Sequence, residues 1–177
     1  INGPRYEHAA IYASSLIVDS GNIKMQLKGS ENNVYFYNGI KANVTINGGN
    51  LDIDKASIAI TGYTIIINGG NINANSYKDT VSATNLTIND GNINIASIKG
   101  WGINTETTTI YGGNITTSGE KRGFLKLPNI DPNYNWKITY NTDATDLNNA
   151  SVTNLYEIYN VWNSKAINIV RDNSITK

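Results

Sequence analysis

Apolar positions two residues apart recur along this chain in nearly identical blocks, each followed by a short polar run centred on glycine. The blocks are Leu16–Ile23, Val44–Leu51, Ile65–Ile72, Leu86–Ile93 and Thr108–Ile115. Their shared glycines, Gly21, Gly49, Gly70, Gly91 and Gly113, are spaced 28, 21, 21 and 22 residues apart. Residues two apart on a strand share a face. Leu16, Val44, Ile65 and Leu86 are therefore predicted to point inward with Val18, Ile46, Ile67 and Ile88. After each glycine a second strand opens at Ile23, Leu51, Ile72, Ile93 or Ile115, with Met25, Ile53, Ala74 and Ile95 two further on. A third apolar column, Ile11, Ile60, Val81 and Ile103, lies ten residues before the shared glycine.

A period of about 21 residues without helical patterning describes a coil of short strands and turns that stacks on copies of itself. The expected fold is all-β: a right-handed parallel β-helix (β-solenoid) of about five to six coils, with like residues stacked in ladders through a narrow core. Residues 1–128 form the β-helix and 129–177 a C-terminal cap of the same domain. The long first interval leaves room for a loop near Lys28–Asn33. Arg122–Leu127 starts a sixth coil that Pro128 and Pro132 break. Beyond it, Trp136–Tyr140, Leu155–Tyr159 and Ala166–Val170 read as strands. They are placed to cover strand edges that an open solenoid end would expose.

Composition sharpens this picture. Charged residues are 16% of the chain, against about 25% in ordinary domains. Asn supplies the missing polarity: 29 of 177 residues, enough to place one at nearly every turn. The wealth of Ile, Val, Thr and Tyr argues for folded strands over disorder. A net charge of zero without a basic stripe speaks against nucleic-acid binding. No run of 18 apolar residues is present, so no membrane span is expected, and without cysteine there is no thiolate chemistry. The chain opens on Ile1 with no signal segment, which suggests a piece of a longer protein.

Asn follows the shared glycine in every block, at Asn22, Asn50, Asn71, Asn92 and Asn114. Glycine supplies the left-handed or close-approach backbone a corner needs. A stacked Asn column then bonds amide to amide, a structural ladder in preference to a binding row. The phrase Thr-Ile-Asn-Gly-Gly-Asn at Thr45–Asn50, approximated at Ile66–Asn71 and Thr87–Asn92, resembles clostridial cell-surface carbohydrate-binding β-helix domains with the pectate lyase-like fold. The resemblance spans roughly Ile11 to Ser118. It implies an extracellular bacterial surface protein that binds acidic plant polysaccharide, sometimes with calcium. The acidic clusters that calcium would need between coils are mostly missing here.

Catalysis finds little support in the residues. Lyase chemistry calls for acidic ligands beside a basic group, yet Arg5, Arg122 and Arg171 all lie outside the regular coils. Asp52 and Asp54 alternate onto one outward face and are the only metal candidates, for calcium; their column continues as Asn73, Asn94 and Thr116 without a second acid. His8, beside Glu7, has no nucleophile to serve. Aromatics are the better lead, since sugar rings stack on exposed Tyr and Trp. Trp101, between Gly100 and Gly102, aligns with Tyr37 twelve residues before the shared glycine, and Tyr35 shares the face of Tyr37. Asp79 and Lys99 sit nearby in neighbouring coils. These five are the expected ligand-binding residues of a non-catalytic, extracellular polysaccharide-binding module of a bacterial surface protein, with no cofactor. The rival readings are a structural or adhesive stalk without a ligand, and a polysaccharide lyase or hydrolase carried by fold resemblance alone.

Overall fold

A computed structural model describes residues 8–27, 37–148, 150–153, 161 and 163–172. Each repeat unit becomes two strands joined by the glycine corner. They are β1 (His8–Val18) and β2 (Asn22–Gln26), β3 (Tyr37–Ile46) and β4 (Asn50–Ala56), and β5 (Ile60–Ile67) and β6 (Asn71–Ser76). Then follow β7 (Val81–Ile88) and β8 (Asn92–Ser97), and β9 (Trp101–Ile110) and β10 (Asn114–Gly119). First strands stack in parallel as β1-β3-β5-β7-β9, second strands as β2-β4-β6-β8-β10. The result is a parallel β-solenoid of about four turns, slightly fewer than the five to six coils expected.

Five stacked strand pairs span four turns between the first and the last, and the sixth coil is incomplete. β11 (Arg122–Phe124) and β12 (Asn129–Ile130) both pair with β9, so that coil contributes only two short pieces to the first sheet. In the second sheet its place is taken by β15 (Ala166–Arg171), which lies antiparallel on β10. β13 (Trp136–Asn141) pairs antiparallel with β15, and β14 (Ser151–Thr153) with β13. Two of the three strands expected in the tail are thus β13 and β15. The third, Leu155–Tyr159, and the Lys28–Asn33 loop lie outside the described residues.

The inward columns are the ones the alternation predicts. Val44, Ile65 and Leu86 stack in register, as do Val18, Ile46, Ile67, Ile88 and Ile110, and all are buried. Leu51, Ile72, Ile93 and Ile115 form the facing ladder, with Ile53, Ala74, Ile95 and Thr117 behind it. The third column gains two members: Ile11, Ile40, Ile60, Val81, Ile103 and Phe124 stand in one register. Ile40 escapes a fixed-offset alignment because the stretch from it to Gly49 is one residue shorter than the matching stretch in the coils on either side, with register shifts at Tyr12/Ser15 and Lys41/Val44. At roughly 25 cal/mol per Å² of apolar surface removed from water, these ladders are the main stabilising term.

Candidate functional site

Every coil turns from the first sheet to the second through a three-residue corner ending in the shared glycine. All five glycines hold a positive φ, from +82° at Gly49 to +115° at Gly91, where a Cβ is strained. A Cβ on Gly70 would lie 2.8 Å from the Gly49 carbonyl oxygen, and one on Gly113 would lie 2.7 Å from that of Gly91. The corners stack backbone on backbone: the amides of Asn71, Asn92 and Asn114 donate to the carbonyls of Gly49, Gly70 and Gly91 at 2.9, 2.9 and 2.8 Å.

Two amide ladders flank this glycine floor. On one side Nδ2 of Asn50, Asn71 and Asn92 donates to Oδ1 of Asn22, Asn50 and Asn71 at 2.5, 2.8 and 3.1 Å. Asn168 of β15 bonds the last Asn of this column, with Nδ2 2.8 Å from Oδ1 of Asn114. The Asn column is therefore the corner ladder expected. On the other side Asn47, Asn68 and Asn89 repeat the pattern, starting from Asp19, at 2.6, 2.7 and 2.6 Å. This second ladder is an addition to the sequence reading, although its signal was present: an Asn two residues before the shared glycine in three blocks.

Between the ladders runs an open groove of about 580 Å³, lined by Asn71, Asn89, Asp90, Asn92, Asn114 and Arg171 over the glycines. An amide nitrogen carries two hydrogens and an amide oxygen two lone pairs. A bonded rung therefore keeps one donor and one acceptor for a ligand, repeated at the strand spacing of ~4.8 Å. Asp90 stands where three other coils have glycine (Gly48, Gly69, Gly112), and its Oδ1 accepts from Gly91 N at 2.8 Å. At the far end Arg171 stacks on Tyr134, its guanidinium carbon 3.3 Å from the ring centroid.

Of the residues nominated from sequence, Asp79 and Lys99 lie in turns between coils, and Trp101 and Tyr37 open β9 and β3. Trp101 and Asp79 are brought together: Oδ1 of Asp79 accepts the Trp101 backbone N–H at 3.1 Å, and Oδ2 accepts Nδ2 of Asn104 at 2.6 Å. Both carboxylate oxygens thus brace the turn. The Trp101 ring is half-buried, with Nζ of Lys121 3.8 Å from its centroid. Lys99 is exposed on the coil before Trp101. The register of β3 corrects one alignment: Ile40 matches Ile60, Val81 and Ile103, so the residue level with Ile58, Asp79 and Trp101 is Asn38, and Tyr37 comes one earlier, opposite His8. Tyr35 lies outside the described residues.

Exposed tyrosines are spread over several faces rather than one row. Tyr12 and Tyr63 stand on the first sheet, Tyr111 at the glycine corner and Tyr134 beside Arg171. Asp52 keeps the column expected for it, level with Lys24, Asn73 and Asn94. Its Oδ2 is 3.7 Å from Nζ of Lys24, and its Oδ1 accepts Nδ2 of Asn73 at 3.3 Å. Asp54 borders a separate hollow of about 420 Å³ with Glu120 and the left-handed Lys55. Among the described residues no three His, Cys, Asp or Glu side chains gather as metal ligands would. Among them, too, no helix is long and apolar enough to cross a membrane. No protein-family model, curated protein or solved structure matches this chain.

Proposed function

We propose that this solenoid is a non-catalytic polysaccharide-binding module of a bacterial surface protein, and that the twin-ladder groove is where the glycan lies. The observation that carries this reading is the groove itself: an open, glycine-floored channel lined by the side-chain amides of Asn71, Asn89, Asn92 and Asn114. A polymer of hydroxyl-bearing rings is the ligand class that exchanges water for such a lattice without needing charge. The Trp101–Asp79 turn is the second face to test, since stacking on an indole is the other common route to sugar recognition. Resemblance of the Gly-Gly-Asn phrases to clostridial surface domains supports the extracellular setting.

A specific observation also favours the stalk reading. The same amide ladders tie each coil to the next, which stiffens the solenoid whether or not a ligand binds. Titration of neutral and acidic oligosaccharides by calorimetry separates the two. The double variant Asn71→Ala/Asn92→Ala is expected to weaken glycan binding about tenfold, at about 0.5–1.5 kcal/mol per lost hydrogen bond, while Trp101→Ala leaves it unchanged. Loss on Trp101→Ala alone moves the site to the turns, and binding of no glycan at all leaves the stalk.

A further inference from the structure

The geometry points to an oxyanion-reading subsite at the C-terminal mouth of the groove, where Arg171 binds the single carboxylate of an otherwise neutral oligosaccharide. This rests on the groove being the glycan site. Arg171 ends β15, opposite Trp136 of β13, and its side chain enters the groove beside Gly113 and Asn114. Tyr134 holds the guanidinium from one face at 3.3 Å, which fixes its plane and leaves the fork of N–H donors at its edge. Among the described residues that guanidinium meets no carboxylate and no hydrogen-bond acceptor. A half-buried, pre-oriented fork of this kind matches a carboxylate bidentately.

Asp90 sets how many charges the ligand carries. It lies in the groove floor two strand positions from Arg171, roughly 10 Å away at ~4.8 Å per strand. That is about one Debye length at physiological salt. The rungs between and beyond are uncharged amides. A chain with an acid on every ring would set one carboxylate against Asp90 for each one gained at Arg171. A neutral chain with one acid meets only Arg171, while its hydroxyls donate to Asp90.

The test uses three probes of equal length: a xylo-oligosaccharide bearing one glucuronic acid, the same chain without it, and an oligogalacturonate. Wild type is expected to favour the singly acidic chain over the neutral one by roughly tenfold or more, the range of one charge-assisted hydrogen bond. Arg171→Gln should remove that preference, lowering affinity for the singly acidic chain by at least about tenfold more than for the neutral one. Tyr134→Leu, which leaves the arginine but frees it, should shrink the preference without touching β15. Asp90→Asn should strengthen oligogalacturonate binding. Equal wild-type affinity for the first two probes, or a preference that survives Arg171→Gln, overturns the subsite and leaves the groove standing if the neutral chain still binds. Should none of the three probes bind, the groove reading falls with it.

Discussion

The two kinds of turn in this solenoid are built on opposite principles. The glycine corner repeats one solution: a positive-φ glycine and an Asn after it in all five coils, with the side-chain amides of Asn50, Asn71 and Asn92 bonded to the coil before. The return turn between coils repeats its backbone rungs, but most of its side-chain contacts change from one coil to the next. Asp79 braces Trp101 and Asn104, Ser97 accepts from Gly100 N at 2.8 Å, and Thr80 donates to the Ala96 carbonyl at 2.7 Å. Repetition aligns polar groups into a continuous surface that a polymer can follow. Variation seals the solenoid locally: each carboxylate oxygen of Asp79 gives one acceptor site to the turn, whereas the ladder amides line up into one continuous polar surface.

The largest effect should come from disturbing the repeated corner at its floor. Gly70→Ala is expected to cost roughly 2–5 kcal/mol, combining left-handed strain of about 1–2 with crowding of about 1–3, because the new Cβ sits 2.8 Å from the Gly49 oxygen. Denaturant titration measures it; a loss below about 0.5 kcal/mol, the surface range, would mean the corner is looser than its stacking suggests. At the return turn, Asp79→Ala should cost about 1–3 kcal/mol, since the Trp101 N–H and the Asn104 amide lose their acceptor. Hydrogen exchange at Trp101 N–H should rise with it, and unchanged protection there would show the carboxylate to be dispensable.

Smaller again is Asn71→Ala, which removes one rung bonded on both sides. In an exposed ladder about 1 kcal/mol is expected from equilibrium unfolding. A value far above that would reveal cooperativity between rungs. Thr87→Ala, on the outer face between Ile66 and Thr109, serves as the baseline. It should change stability by under about 0.5 kcal/mol, and a greater loss would show that the outer face is covered.

Much of the solenoid was legible in the sequence because its signals are local and repeat. Period-2 alternation assigned the inward columns from Val18 to Ile115, and the shared glycines marked the corners. Legibility ended where coil lengths differ. One residue fewer between Ile40 and Gly49 hid Ile40 and placed Tyr37 beside Trp101, because alignment at a fixed offset cannot see a bulge. Asn47, Asn68 and Asn89 carried a repeat of their own, but only stacking turned them into a second ladder whose last member, Asn89, lines the groove.

By itself, then, the sequence determined the repeat: which residues face inward, where the chain must adopt a positive φ, and that Asn amides would stack. Each of these depends on neighbours within one coil and on the identity of the same position in the next. Tertiary structure alone decided the end of the solenoid and the shape of its surface. The antiparallel docking of β15 on β10 joins residues more than 50 positions apart, Asn114 to Asn168 among them, and nothing in the local pattern of either strand encodes it. The same docking brings Arg171 to the mouth of a groove built from Gly69 to Asn114. Pairing of that kind follows from which edge is left unpaired and which strand can reach it, and that is a property of the assembled fold.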